Sequence, residues 1–519
     1  MSYWIAVHLP RLSLDALQPN WPEPAALPAS SGLLHHRVPV AVMERERVVL
    51  ANGPAVALGV QAGMRRGGVQ ALSAQVVQLE REPAAEAQLM TALALALLHF
   101  TPHVTRHPDP DAATVMIDAG ASLRLFGGHL ALCRAVYARV RRLGVFPQLG
   151  CGPTAFGAAW LAAQPLRRDR RGAMVRPARR AVRAARMARL LDRLPVAMLQ
   201  GLADDGWLDG IGCRTVGEVR GLPRAGLRRR LGPDLLARLD QAYGEVPVRF
   251  TWFSAPAAFA QRMELPGRTE SVQGVMAGAQ RLLLALAGWL AVQQAGVTRL
   301  VLRLEHERYR LGTETPSTPV TVSLAQPSRD PVHLSRLLQE RLDKVQFSVP
   351  AAGLMLVVES METCLPQSDS LFPEPGGTPA ELGRLLDTLM ARLGRENVLQ
   401  PQPLPDHRPE RANRWCPVDE MPARAPQPAP AGAMPERPAW LLDKPMPLTV
   451  QRHRPCHGGP LTLLSRPERI ESGWWDGALA TRDYFVAERA DGLRCWVYRQ
   501  RPGREESGEY RWFLHGLFA

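Results

Sequence analysis

The chain has 519 residues, 46% of them hydrophobic, and a formal net charge of +14. That length exceeds what one hydrophobic core supports and predicts roughly three to five domains, while the apolar content excludes a disordered chain. The basic charge favours an acidic polymer, above all nucleic acid, as a partner; an arginine-rich genome is the alternative explanation.

Cysteine spacing and apolar runs limit the class of protein further. The seven cysteines lie far apart and form no CxxC pair, so we expect neither a zinc site nor a disulfide framework, and Cys456 beside His457 is interpreted as part of a loop. We expect no signal peptide, because the N-terminus lacks a basic region followed by a long apolar run, and the longest apolar stretch, Leu282–Val292, is shorter than a bilayer requires. We therefore expect a soluble, cytoplasmic protein without metal.

Strand and helix patterns alternate over the first third of the chain, as in a small α/β sheet domain. The first strand, Trp4–Val7, runs into His8, Leu9 and Pro10, although the end of such a strand commonly carries an active-site carboxylate. Strands are predicted at 4–7, 113–118 and 146–152, a hairpin at 38–50, and helices at 57–64, 84–100, 127–144 and 154–164.

A basic region follows. Between Arg167 and Arg193 there are eleven arginines and two acidic residues. A solvated face or a linker is the simpler interpretation of this run, and a salt-dependent contact with nucleic-acid phosphates is the functional one.

The sequence "LDGIGCRTVGEV" (208–219) predicts a helix-hairpin-helix. Its two glycines permit a tight turn whose backbone amides approach a phosphate beside the start of the next helix. A basic helix at 224–230 follows, and we predict binding to the DNA backbone without sequence preference, an ordinary helix turn being the alternative. The predicted contact residues are Gly210, Ile211, Gly212, Arg214 and Thr215.

Residues 270–362 predict a second α/β unit, with a four-stranded sheet backed by two helices. After it, in "PQSDSLFPEPGG" (366–377), the apolar pair Leu371-Phe372 stands among polar and breaker residues. Such a pair is typical of a peptide that docks in another protein's groove, a loop that packs on its own domain being the alternative. A helix at 378–394 and an uncommitted linker with eleven prolines between Pro401 and Pro438 complete this region.

The last 80 residues contain five of the twelve tryptophans and predict an aromatic-rich β module, with a hairpin at 481–500 that turns at Asp491-Gly492. The apolar end "YRWFLHGLFA" either closes this module or contacts a partner protein. Stacking of nucleic-acid bases on the aromatic residues is the weaker alternative.

The order of these parts resembles the Y-family of translesion DNA polymerases, over nearly the whole chain except the proline-rich linker. The sequences "RPERIESGWWDG", "RDYFV" and "RWFLHGLFA" are similar to one branch, a polymerase-like subunit of a bacterial mutagenesis complex. The resemblance implies an α/β multidomain right hand plus a C-terminal β module. Its parts would be palm-like 1–10 and 76–166, fingers-like 11–75, thumb-like 167–248, little-finger-like 265–362, a clamp-binding peptide, helix and linker 363–439, and a partner-binding module 440–519.

Active members of this family hold two Mg²⁺ ions with clustered carboxylates, because Mg²⁺ prefers hard oxygen ligands. The resemblance places His8 and Pro10 at the acids of the first strand end, and Ala113 and Thr114 at the paired Asp-Glu of a second strand. A neutral imidazole is a poor Mg²⁺ ligand. The resemblance therefore implies a degenerate metal site.

The segments that hold the triphosphate in this family are similar to "ANGPAVALGVQAGM" and "TAFGAAWLAA". Gly53 and Val56 stand where the family has tyrosine and arginine, and Ala155 and Ala159 stand where it has lysines. Joint loss of metal and phosphate ligands implies a fold kept without its chemistry. An active polymerase that uses displaced acids is the alternative; the acids concerned are Asp109, Asp111 and Asp118.

The resemblance also implies a function and partners. The chain would be a non-catalytic scaffold in SOS-induced translesion synthesis, without cofactor or membrane, that holds damaged primer-template DNA by its backbone. Gln367, Leu371 and Phe372 resemble the motif that binds the bacterial sliding clamp. The C-terminal module would recruit an error-prone C-family DNA polymerase and a RecA-like accessory protein. A DNA-binding repair factor without clamp contact is the remaining alternative.

Overall fold

A computed structural model describes residues 2–19, 38–165, 167–168, 174–175, 177–199, 207–306, 317–347, 349–364, 379–420, 437–501 and 511–518. The chain forms two compact units, Met1–Arg392 and Leu393–Ala519. The first is mixed α/β and the second is rich in strands, which confirms the predicted α/β multidomain class with a C-terminal β module.

The strands of the first unit are β1 (Trp4–His8), β2 (Val40–Glu44), β3 (Arg47–Ala51), β4 (Val77–Glu80), β5 (Val104–Arg106), β6 (Thr114–Asp118), β7 (Gln148–Gly152), β8 (Arg167–Arg168), β9 (Met174–Val175), β10 (Ala260–Thr269), β11 (Ala295–His306), β12 (Ser317–Ser328) and β13 (Ala351–Thr363). The helices are α1 (Leu12–Leu17), α2 (Gly53–Ala57), α3 (Arg66–Leu72), α4 (Pro83–Leu97), α5 (His129–Arg141), α6 (Ala155–Ala163), α7 (Ala184–Asp192), α8 (Trp207–Gly210), α9 (Val216–Arg220), α10 (Arg224–Leu231), α11 (Pro233–Tyr243), α12 (Val272–Gln293), α13 (Pro331–Leu342) and α14 (Pro379–Leu393).

The strands of the second unit are β14 (Leu399–Pro403), β15 (Asn413–Pro417), β16 (Trp440–Gln451), β17 (Arg454–Cys456), β18 (Thr462–Leu463), β19 (Glu468–Ser472), β20 (Ala480–Glu488), β21 (Arg494–Gln500) and β22 (Arg511–Leu517).

An antiparallel sheet of order β5-β6-β1-β7 carries the candidate site. The residues of β1 alternate between the two faces: Ile5 and Val7 pack with α4 and α5, while Trp4 and Ala6 pack with α6. Both faces are covered by helices, which explains why the whole strand is apolar. Close packing of α6 on β7 requires glycine at position 150, because a Cβ there would collide with the carbonyl oxygen of Ala158.

A small sheet of order β3-β2-β4 lies beside it and contains the predicted hairpin. The helix expected at 57–64 is wrong: the helix is α2, which starts earlier and ends at Ala57. Asn52 caps its first turn and Pro54 occupies the position where proline favours helix initiation. Gly59, with φ of +95°, then turns the chain out of the helix.

A separate apolar core joins α6 to α7 and α11, with the hydroxyl of Tyr243 donating to Asp192 at 2.6 Å. Part of the arginine-rich run is ordered against the first sheet. The amide of Cys151 in β7 donates to the carbonyl of Arg179, and the amide of Ala181 donates to the carbonyl of Cys151. This stretch therefore extends the sheet edge, and is not a free linker, before the chain enters α7.

The second α/β module has the predicted four-stranded sheet, in the order β10-β13-β11-β12, with α12 and α13 packed on it. It shares one hydrophobic core with the first sheet, because α12 packs directly on α4. A Cβ at Gly288 of α12 would collide with the carbonyl oxygen of Leu95 in α4. The two helices therefore approach to backbone contact, and α14 packs on the module through the hydrogen bond of His333 to Asp387 at 2.8 Å.

The apolar stretch of α12 is longer than the sequence pattern suggested. All 22 residues of the helix pass, by length and composition, as a candidate membrane span. Most of this helix is buried inside the protein, as in the core helix of a soluble fold. The glycines and alanines between its leucines account for the added length.

The second unit is built on a sheet of order β17-β16-β22-β21-β20-β18, with β19 paired to β20. The predicted hairpin is β20–β21, and it turns at Gly492 with φ of +89°. The chain end forms β22 between β16 and β21, so it closes the module, as the first of the two alternatives predicted. Side chains on both faces of this sheet are apolar, including Tyr484 and Trp496 on one face and Phe485 and Val497 on the other.

The expectation of an uncommitted linker is wrong for residues 401–420: most of them belong to the hairpin β14–β15, which packs on the rest of the second unit. Arg408, only 3% exposed, hydrogen-bonds to Asp406 at 2.6 Å and to Asp476 at 2.7 Å. Side-chain contacts between residues this far apart in sequence are invisible to composition. The rest of the proline-rich stretch, 421–436, lies outside the described residues.

Candidate functional site

The candidate metal site lies where β1 ends and β6 begins. In the antiparallel register His8 stands opposite Thr114, so the structure brings these two predicted positions together. The Nδ1 atom of His8 is 3.0 Å from Oγ1 of Thr114 and 3.0 Å from the carbonyl oxygen of Ala112. The Thr114 hydroxyl donates to the same carbonyl at 2.6 Å. The imidazole, the hydroxyl and the carbonyl therefore supply hydrogen-bond partners for one another.

The electrostatic surroundings of His8 are unsuited to a cation. Burial lowers the pKa of His8, the carbonyl of Ala112 raises it, and the positive charges of Arg179 and His107 lower it further. The ring is therefore neutral at neutral pH. Arg179 donates to Gln148, the residue opposite His8 on β7, at 2.9 Å.

The neighbouring surface is basic. A cleft of about 600 Å³ lies beside the end of β1 and is lined in part by Pro10, which is exposed. Four guanidinium groups line the same cleft, and they belong to Arg11, Arg179, Arg180 and Arg186. Such a surface attracts anions and repels divalent cations.

Ala113, at the second predicted acid position, is buried and has a left-handed backbone with φ of +44°. Its carbonyl accepts a hydrogen bond from the amide of Leu9 at 3.0 Å. This bond, like the contacts of His8, joins the end of β1 to the start of β6. Ala113 therefore helps to hold the end of β1 against the start of β6.

The displaced acids do not gather at this point. Asp118 stands opposite Trp4 at the far end of β6, about 13 Å from Thr114 along the strand, and accepts from the amide of Gly120 at 3.1 Å. Asp109 accepts from the amide of Asp111 at 3.0 Å and so caps a short turn. Within the described residues, no three His, Cys, Asp or Glu side chains are grouped so that they could hold a metal ion.

The predicted triphosphate positions fall in two different environments. Gly53 and Val56 lie on the exposed side of α2, where Val56 is 56% exposed. Ala155 and Ala159 are buried between α6 and the first sheet, packed with Trp4. The two alanines therefore face the core and not a phosphate.

The predicted helix-hairpin-helix is present, but its backbone amides already donate hydrogen bonds within the protein. The amides of Ile211 and Gly212 donate to the carbonyls of Trp207 and Asp209 at 3.0 Å each. The carboxylate of Glu218 accepts from the amides of Arg214 and Thr215, at 2.6 and 3.1 Å, and these bonds lower the pKa of Glu218. The flanking helices, α8 and α9, have four and five residues. Any phosphate contact here thus falls to side chains.

A basic ridge, defined by Arg228, Arg229 and Arg230, lies at the end of α10. All three are exposed, and among the described residues none forms an ion pair with a carboxylate. Arg224, at the start of the same helix, pairs with Asp240 at 2.6 Å. The sequence pattern indicated the basic helix but could not separate paired from unpaired arginines.

The remaining predicted contact residues are those that we expect to bind partner proteins. Gln367, Leu371 and Phe372 lie outside the described residues. In the second unit, Trp440, Trp474 and Trp475 are 69%, 78% and 53% exposed, whereas Trp496 is buried. The sequence predicted the aromatic enrichment but not which of these rings stay at the surface.

Comparison with known proteins gives three kinds of match. A model of the impB/mucB/samB family (IMS) matches residues 29–164. Protein ImuB of Caulobacter vibrioides (strain NA1000 / CB15N) is 30% identical over 494 residues, which covers 89% of this chain and 100% of that protein. The ImuB protein of a second Caulobacter vibrioides strain matches with the same values of 30%, 89% and 100%.

Among solved structures, that of DinB from Sulfolobus solfataricus is 13% identical and covers 69% of this chain and 98% of that chain, with a TM-score of 0.35. A ternary complex of Dbh has 13% identity, the same coverage of 69% and 98%, and a TM-score of 0.36.

Proposed function

Because this chain belongs to the ImuB family, we propose that it is a non-catalytic, Y-family-polymerase-like scaffold of SOS-induced translesion DNA synthesis and mutagenesis. The observation that carries the proposal is the closed contact of His8 with Thr114 and the carbonyl of Ala112, in a basic setting. Polymerase chemistry needs several oxygen anions around two divalent ions. A neutral imidazole and a hydroxyl that are hydrogen-bonded to each other supply no oxygen anion.

Primer extension tests the absence of nucleotide transfer. Purified full-length protein is incubated with primer-template, all four nucleotides and either Mg²⁺ or Mn²⁺, beside an active Y-family polymerase as the positive control. We expect no extended primer. Template-directed products that follow the concentration of this protein would contradict the proposal and favour the alternative of an active polymerase.

In this proposal the sheet β5-β6-β1-β7 belongs to the palm-like part (1–10 and 76–166). Strands β2 and β3 belong to the fingers-like part (11–75), and β4, which completes their sheet, lies just inside the palm-like range. The helices α7 to α11 form the thumb-like part (167–248), and the second sheet forms the little-finger-like part (265–362). The remaining divisions are 363–439 and the partner-binding module 440–519. The protein would act in the cytoplasm.

Damaged primer-template DNA would be held by its backbone. The first unit has 45 Lys and Arg against 33 Asp and Glu. Its unpaired basic ridge offers three charges to phosphates, and Arg214 with the hairpin Gly210–Gly212 lies on the same helical module. Changing the ridge to three alanines should weaken duplex binding and lower its salt dependence by about one per lost phosphate contact. Arg395→Ala, which removes an arginine paired with Asp419, is the control.

The sliding clamp would be bound by Gln367, Leu371 and Phe372, since an apolar pair in an extended segment fills a groove with few anchors. The double variant Leu371→Ala/Phe372→Ala should lose clamp binding in a sensor assay. Ser370→Ala, in the same peptide, should keep it. Equal affinities would remove the clamp from the proposal and favour a DNA-binding repair factor without clamp contact.

The second unit would recruit an error-prone C-family DNA polymerase and a RecA-like accessory protein. With 18 Lys and Arg against 16 Asp and Glu it is almost neutral, unlike the first unit. Its exposed tryptophans are suited to protein contact. Clamp, DNA and polymerase joined by one chain raise each other's local concentration.

A further inference from the structure

A second cleft on the first unit shares no lining residue with the cleft beside His8. It has a volume of about 920 Å³ and is lined by residues of β5, α6, α11 and the connecting segment 244–259. The amide of Phe253 in that segment donates to the carbonyl of Val104 in β5 at 2.7 Å, and the hydroxyl of Thr105 donates to the carbonyl of Thr251 at 2.9 Å. The connecting segment is therefore fixed to the edge of the sheet.

Aromatic rings form one part of the lining. Phe250, Trp252 and Phe253 come from the connecting segment, and Phe156 comes from α6. Trp252 is 41% exposed although its ring lies parallel to that of Trp4, with centroids 6.1 Å apart and an interplanar angle of 12°. A tryptophan that is held by neighbouring rings and still keeps part of its surface open is suited to stacking a flat ligand.

Guanidinium groups form the other part. Arg106, Arg238 and Arg249 line the cleft, against the single acid Asp234. None of the three forms an ion pair with any carboxylate that the structure describes. The Oε1 atom of Gln241, another lining residue, is buried and has no hydrogen-bond partner among the described residues. The cleft thus combines aromatic rings with an excess of positive charge.

We propose that this cleft binds single-stranded DNA, with a base stacked on Trp252 and the neighbouring phosphates paired with Arg249 and Arg238. A base in a duplex is stacked on both faces, so only an unpaired strand can use the tryptophan. The phosphates complement the unpaired guanidinium groups. The inference rests on the DNA-binding part of the proposed function and adds a strand-specific site to it.

The test compares single-stranded with duplex binding of the full-length protein. Fluorescence anisotropy of labelled oligo(dT) and oligo(dA) is measured beside that of a blunt hairpin duplex. Trp252→Ala and Arg249→Ala should each weaken binding of the single strands about tenfold and leave duplex binding unchanged. Trp252→Phe should restore much of the affinity. Trp415→Ala, which removes another exposed tryptophan, is the matched control.

Trp252 also packs on Trp4, so its loss could disturb the fold, whereas Arg249 is exposed and its variant keeps the packing. Unchanged single-strand affinity in Arg249→Ala and Trp252→Phe/Arg249→Ala would overturn the inference, as would an equal loss for duplex DNA. Competition by free deoxynucleotides at the same site would also overturn it, in favour of a nucleotide pocket. If the wild-type protein binds duplex but not single strands, the inference fails and the proposed function stands; if it binds no DNA, the proposed function itself fails.

Discussion

His8 illustrates how one side chain links local chemistry to function. Its place at the end of β1 was predictable, because a short apolar run so near the start of the chain indicates a buried strand. Its pairing with Thr114 follows from the antiparallel register. The nearby charge of Arg179 was not predictable, since that residue is one of eleven arginines in a run without periodic pattern.

The lowered pKa of His8 gives a pH prediction. The unfolded chain binds a proton near pH 6.5 that the folded chain does not, so this contribution to stability is complete above about pH 6.5 and is lost as the pH falls below it. The melting temperature of His8→Gln should therefore fall less steeply than that of the wild type as the pH is lowered. The exposed His453→Gln is the control, and it should follow the wild type. Parallel curves for His8→Gln and wild type would contradict the pKa assignment.

At the scale of elements, local sequence signals predicted most helices and hairpins, whereas hydrogen bonds and contacts between elements could not be predicted. Apolar periodicity predicted α4 and α12, and the Asp491-Gly492 turn predicted the hairpin β20–β21. They misplaced the helix near residue 57, where Asn52 and Pro54 act earlier than the apolar pattern suggests. They also missed that the hairpin amides of 211–215 bond internally, because hydrogen-bond partners in a turn depend on backbone angles that the sequence does not fix.

The close contact of α12 with α4 predicts that adding one methyl group at position 288 lowers the stability of the first unit. Gly288→Ala should destabilise the first unit by about 1–3 kcal/mol, because the Cβ has no room beside the carbonyl of Leu95. Gly226→Ala in α10, where a Cβ meets nothing within 4 Å, should be neutral or stabilise by up to about 1 kcal/mol. Chemical denaturation followed by circular dichroism measures both. Similar stabilities of the two variants would show that the helices separate without cost.

Arg408 makes the hairpin β14–β15 part of the second unit. Arg408→Ala should lower the temperature at which this unit unfolds and expose it to proteolysis, because it leaves Asp406 and Asp476 without their buried partner. Arg411→Ala, which removes a half-exposed arginine from the same Asp476, should have a much smaller effect. Limited proteolysis with mass spectrometry distinguishes the two. Equal protection of both variants would show that the hairpin is held by other contacts.

On the scale of the whole molecule, charge is divided between the two units. Nearly all of the net positive charge lies in Met1–Arg392, whereas Leu393–Ala519 is almost balanced. The total charge predicted a nucleic-acid partner, and its division supports two kinds of contact on one chain. The predicted partner-binding module, 440–519, lies within the compact unit that begins at Leu393, because the β14–β15 hairpin is also part of that unit.

This division predicts that DNA and protein contacts can be lost separately. Trp474→Ala/Trp475→Ala in the full chain should weaken capture of the C-family polymerase or the accessory protein and leave the affinity for DNA and its salt dependence unchanged. Anisotropy with labelled DNA and pull-down with purified partners measure the two contacts. Loss of DNA binding in this variant would place nucleic-acid contacts on the second unit.

The contact between His8 and Thr114 also bears on how easily the chain could change its role. Aspartate at position 8 would face the carbonyl of Ala112, to which the Thr114 hydroxyl already donates, and would lie in the field of Arg179. A single carboxylate beside a guanidinium group is one oxygen anion where two divalent ions require several, so this change alone would not create a metal site. A binding site for divalent ions at this strand end would therefore need several substitutions, including the loss of nearby positive charge.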